Sequence, residues 1–79
     1  MIVPIEQVIS PDEEANQWEV PKMMQVLQKQ GQIEPLQVKV YHDGKYAVFP
    51  FNYDVEILAA AKALGWKDIL ITIVKRYEQ

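Results

Sequence analysis

The stretch Asp54 to Gly65, DVEILAAAKALG, is the longest clean helical pattern in the chain and fixes what its surroundings can become. Val55, Leu58 and Ala61 recur at the three-to-four spacing of one helix face, and Ile57, Ala60 and Leu64 widen it. Asn52 stands where a side chain can cap the first turn. Asp54 and Glu56 place negative charge at the positive end of the helix dipole. Gly65 offers the stop. The run Ala59 to Ala61 lets a neighbour pack close. Strand-like patterns precede and follow this helix, so the chain reads as a small α/β (or α+β) domain covering residues 1–79.

The remaining elements are read in chain order. Ile2 to Val8 alternates loosely, and Pro4 restricts it to an edge strand or an extended lead-in, with Ile5 and Val8 touching the core. Ser10, Pro11 and Glu13 have the spacing of a capped helix start, one or two turns long. Pro21 opens a second helix, Lys22 to Gln30, with Met23, Met24 and Leu27 as its apolar stripe and Gly31 as its end. The methionines are read there as adaptable core filler. Pro35 keeps Glu34 extended, and Val38 and Val40 alternate with Lys39 and Tyr41 as a strand with one wet face. Asp43-Gly44 is a two-residue hairpin signal that places Tyr41 opposite Tyr46 and Val40 opposite Ala47. Tyr46 to Phe49 is the returning strand. Asp68 to Arg76 alternates Ile69, Ile71 and Ile73 against Leu70, Thr72 and Val74. Apolar groups on both faces make it central or covered, and the helix before it implies a βαβ-type crossover.

Composition narrows the function. With 79 residues and no cysteine, the chain has a thin core and neither a disulfide nor a thiolate metal site to reinforce it. No run approaches the roughly 20 apolar residues of a membrane span. The start MIVPIEQ lacks the basic region of a signal peptide, so a cytoplasmic setting is expected. The net charge is -3, and Glu6, Asp12, Glu13, Glu14 and Glu19 all precede the first basic residue, Lys22. Arg76 is the only arginine. A basic patch with arginine readers is therefore not visible, which disfavours DNA or nucleotide as partner.

Catalytic patterns are scarce. The single histidine, His42, sits beside the hairpin turn with no partner to name. Gly31, Gly44 and Gly65 are isolated, so no phosphate loop is present. Ser10 is assigned to capping, which leaves no Ser-His-Asp arrangement. Asp54 and Glu56 are the best-placed carboxylates for a small hydrolase, but two positions apart on a helix they diverge. No cofactor and no metal are expected. The aromatic connection Phe49-Pro50-Phe51-Asn52-Tyr53 is a large apolar load for a linker. Phe49, Phe51 and Tyr53, with Trp66 beyond the helix, are the candidate contacts for a protein partner or a second copy of the chain.

The order of elements resembles the N-terminal domain of ParB/Spo0J-type partition proteins, a fold shared with sulfiredoxin. The resemblance runs through Ile2–Val8, Met23–Gly31, GQIEPLQV (31–38), Tyr46-Ala47-Val48, the alanine-rich segment 59–65 and Ile69–Val74, with GQIEPLQV its most specific piece. It implies a small mixed sheet with packed helices. In that family a G-x-x-R type segment before the alanine-rich helix holds nucleotide phosphates, or carries the chemistry in sulfiredoxin. Here Pro50-Phe51-Asn52-Tyr53-Asp54-Val55-Glu56 takes its place, without an arginine. The expectation is a non-catalytic interaction or dimerisation module. The alternatives are a nucleic-acid or nucleotide-binding protein of the partition type, in which Lys39, Lys45 and Lys62 or Lys75 converge, and a hydrolase using Asp54 or Glu56.

Overall fold

The computed structural model describes residues 1–11, 14–41, 43–50 and 53–76, except for the side chains of Lys75 and Arg76. Strand β1 (Ile2–Pro4) leads through a 3-10 turn (Ile5–Gln7) into β2 (Val8–Ile9). Helix α1 (Val20–Gln30), the hairpin β3 (Leu36–Val40) and β4 (Tyr46–Val48), helix α2 (Asp54–Ala63) and β5 (Asp68–Arg76) follow. The five strands form one mixed sheet in the order β1-β5-β3-β4-β2. β5 is antiparallel to β1 and parallel to β3, whereas β4 is antiparallel to β3 and parallel to β2.

This order forces the sheet to curl. β1 and β2 are its two edges, yet only the 3-10 turn separates them in sequence. Four strand spacings put the edges of a flat sheet about 19 Å apart, and a three-residue 3-10 turn covers about 6 Å. Ile5 N–H, bonded to Lys67 O at 2.8 Å, anchors the turn beside the start of β5. A single strand Ile2–Val8 is therefore not what forms. It breaks after Pro4, which sits on an edge, where its missing N–H does no harm.

Both helices cover the concave face. Val3, Val8, Leu36, Val38, Ile69 and Ile71 from the sheet meet Leu27 of α1 and Val55, Leu58, Ala60 and Ala61 of α2. Ala60 and Ala61 are fully buried, which is the close packing that the alanine run permits. β5 is internal, as its apolar pattern requires. Its outer face, with Thr72 and Val74, stays exposed. Val74 is the extra residue of a bulge, because Val38 pairs with Ile73 and Lys39 with Lys75.

Four local readings need correction. The described residues between Ser10 and Asn16 are not helical, and Asp12 and Glu13 lie outside the described residues. Asn16 organises this segment instead. Its Oδ1 accepts Trp18 N–H at 2.9 Å, and its carbonyl accepts Glu19 and Val20 N–H, so the chain turns directly into α1. The hairpin is one residue out of the expected register: Val40 pairs with Tyr46 and Lys39 with Ala47. Tyr41 N–H bonds Lys45 O at 2.7 Å, and Gly44 N–H bonds Tyr41 O at 3.2 Å. The loop therefore has three residues, closed by Gly44 at φ 81°, where a left-handed residue is required. His42 lies in that loop, outside the described residues.

The other two corrections concern α2. The strands it joins directly, β4 and β5, run opposite ways, and the parallel neighbours are β3 and β5. The N-cap position belongs to Tyr53, left-handed at φ 64° and without a side-chain cap, while Asn52 lies outside the described residues. The C-terminus follows expectation. Gly65 N–H bonds Lys62 O at 3.0 Å and Trp66 N–H bonds Ala61 O at 3.0 Å. This is a Schellman turn with Gly65 at φ 81°. Among the described residues, no helix is long and apolar enough to cross a membrane.

Candidate functional site

The N-terminus of α2 is where the sequence analysis converges, and its own carboxylates occupy it. Asp54 is 7% exposed, and its Oδ2 accepts Gln37 N–H from β3 at 3.0 Å. The carbonyl of the same Gln37 accepts Phe49 N–H at 3.2 Å, so Asp54 fastens the helix start where the hairpin ends. Burial pushes the Asp54 carboxyl above its ordinary value of 3.8. The Gln37 hydrogen bond works against that rise, and the negative charge of Glu34 adds to it. Glu56 turns the other way and accepts Asn16 N–H at 2.8 Å. The two carboxylates thus diverge, and each ties α2 to a different part of the chain.

Beside Asp54 lies a groove of about 270 Å³. Met23, Val26 and Leu27 of α1 form one wall, Ile57 of α2 another, and Ile33 and Glu34 of the intervening loop a third. Met23 and Met24 do pack against the core, as expected of filler, but Met23 also faces this groove. Gln32 holds the loop. Its Oε1 accepts Leu70 N–H at 2.9 Å, and its Nε2 donates to Leu70 O at 2.8 Å and to Glu34 O at 3.1 Å. Neither the groove nor the Gln32 clamp is legible in the sequence. The one signal was GQIEPLQV, which placed an isoleucine in a loop after a helix stop.

The aromatic candidates are not one patch. Phe49 is half-buried on the outer sheet face, with Lys39 Nζ 5.7 Å from its ring centroid. Tyr53 is 56% exposed at the N-terminus of α2. Phe51 lies outside the described residues. Trp66 is half-buried against the core just past the C-terminus of α2, about 15 Å of helix away from Tyr53. The lysines also separate. Lys39 is on the outer sheet face, whereas Lys62 on α2 donates to Val8 O at 3.2 Å on the inner side. Among the described residues, no group of three or more histidine, cysteine or acidic side chains is arranged to hold a metal ion.

The curled mixed sheet with two helices on its concave face is a ParB/sulfiredoxin-like fold. Two solved structures make the likeness specific. Sulfiredoxin from Arabidopsis thaliana superposes with a TM-score of 0.71 at 28% identity, covering 95% of this chain and 85% of that one. The C-terminally truncated chromosome-partitioning protein ParB from Caulobacter crescentus, complexed with CTP-gamma-S, superposes with a TM-score of 0.71 at 18% identity. That match covers 95% of this chain but 43% of the ParB chain. No family model matches the chain. No curated protein matches it either.

Proposed function

We propose that this chain is a non-catalytic protein-interaction module, acting by self-association or by holding a protein partner through Tyr53 at the start of α2, with Phe49 and Phe51 of the preceding connection as further contacts. One observation carries the reading: the Asp54 carboxylate sits at the N-terminus of α2, bonded to Gln37 N–H. An anion arriving there would meet a like charge instead of open N–H groups. Tyr53, largely exposed beside it, offers the kind of aromatic surface that anchors protein contacts. Trp66 is a secondary contact in this reading, because it is partly buried against the core. A cytoplasmic setting and the absence of a cofactor go with the proposal.

The test is a substitution that removes the aromatic surface and keeps the backbone. Asparagine tolerates the left-handed conformation of Tyr53. Tyr53→Asn combined with Phe51→Ser is expected to abolish self-association or partner binding while the circular dichroism spectrum stays unchanged. Unchanged association in a folded variant would refute the proposal.

Two other readings each have an observation in their favour. The ParB structure is complexed with CTP-gamma-S, which favours nucleotide binding. Calorimetric titration with CTP decides it, and the Asp54 carboxylate predicts no heat. The raised Asp54 carboxyl lining a groove favours acid-base chemistry. However, the groove's described lining offers Asp54 and Glu34 as its titratable groups and no nucleophile beside them.

A further inference from the structure

The groove between α1, the loop after it and α2 is walled by apolar side chains that the fold does not use up. Ile33 is 67% exposed and Val26 39% exposed at its lip, while Leu27 is buried at its base. The exposure of Ile33 is built in. Gln32 is fixed by three hydrogen bonds to Leu70 and Glu34, so the loop cannot fold inward to bury its neighbour. The same groove carries two carboxylates, Asp54 and Glu34. Among the described residues neither makes an ion pair, and no lysine or arginine lines the groove.

Apolar walls with acidic groups and no cation select the chemistry of an occupant. A phosphate or carboxylate ligand would be repelled. A purely apolar ligand would bury carboxylates without compensation. An apolar body with an adjacent positive charge satisfies both. The volume, about 270 Å³, is at the small end for ligand sites and holds one or two side chains, not a large cofactor.

We infer that this groove is the docking site for a segment of a partner protein in which an apolar side chain stands beside a lysine or arginine. The inference rests on the interaction-module reading and supplies the partner's chemistry. Ile33, Val26 and Met23 receive the apolar side chain, and Glu34 and Asp54 face the cation. The loop is held in place before binding, so little ordering cost opposes association.

The experiment is amide chemical-shift mapping on the full chain with two capped pentapeptides, Ala-Leu-Lys-Leu-Ala and its counterpart with glutamate in place of lysine. The lysine peptide is expected to move amides of the groove, from Met23 to Leu27, Ile33, Glu34 and Ile57. The glutamate peptide is expected to bind at least about tenfold more weakly. Glu34→Gln and Ile33→Ser change exposed side chains and leave the fold intact. Each should weaken the lysine peptide several-fold, and Glu34→Gln should also flatten its salt dependence. Equal binding of both peptides, shifts elsewhere on the surface, or no shifts at millimolar peptide would overturn the inference. So would groove amides that move on dilution alone, which would make a second copy the occupant, or that respond to CTP more than to the lysine peptide. The association lost on Tyr53→Asn with Phe51→Ser is read by sedimentation without peptide, so the two proposals fail separately.

Discussion

Asp54 shows how one residue can serve structure at the place where an anionic ligand would be sought. Its carboxylate is buried, accepts the Gln37 N–H, and is held above its ordinary titration range by that burial. The sign of the pH effect follows. Between the raised folded-state pKa and the unfolded value of about 3.9 the folded chain binds more protons than the unfolded one. The contribution of Asp54 to stability therefore rises as pH falls through that window and levels off below it. Above the window the buried charge is a constant burden. Asp54→Asn keeps an acceptor for Gln37 and removes the charge. Its urea stability at neutral pH should equal or exceed the parent's, with the difference shrinking toward acid. Asp54→Ala leaves the Gln37 N–H without a partner and should lose about 1–3 kcal/mol at neutral pH. An Asn-minus-parent stability difference that grows toward acid would contradict this sign.

At the level of elements, long-range bonds decide what local patterns leave open. α2 was readable because its periodicity, first-turn acids and terminal glycine all agree. The hairpin was readable, but its register was not, because Asp43-Gly44 fits both a two-residue loop and the end of a three-residue loop. The segment after Ser10 has the composition of a capped helix, yet Glu56 holds Asn16 from 40 residues away. Nothing local announces such a bond. The Gln32 clamp is equally invisible, since it spans 38 residues to reach Leu70. Gln32→Ala should cost about 1–3 kcal/mol, because the partly buried Leu70 N–H and carbonyl both lose their partner. Urea unfolding measures the loss, and faster amide exchange at Leu70 would localise it. Ala61→Leu tests the close approach at the other helix. Ala61 is fully buried, so added volume should destabilise by about 1–3 kcal/mol. Both costs should appear as a shifted midpoint at constant slope.

For the molecule as a whole, the sheet curls because its two edges are consecutive in sequence, and both helices fill the concave side. The ParB/sulfiredoxin-like fold was legible from element order and from GQIEPLQV. The candidate site was legible only in part, because exposure and desolvation depend on packing that no short pattern encodes. The aromatic residues grouped by sequence are divided by the fold: Trp66 folds onto the core through its Schellman turn, and Tyr53 stays at the surface. What remains near the start of α2 is an exposed aromatic, a buried acid and an apolar groove, and the proposed protein contact rests on that combination. The most direct test is the mass of the purified chain by sedimentation as a function of protein concentration, with and without a short DNA duplex and a nucleotide mixture. The expected result is a mass that rises with protein concentration and ignores both additives. A salt-sensitive mass shift with DNA, or a mass change with nucleotide, would contradict it and return the N-terminus of α2 to anion binding.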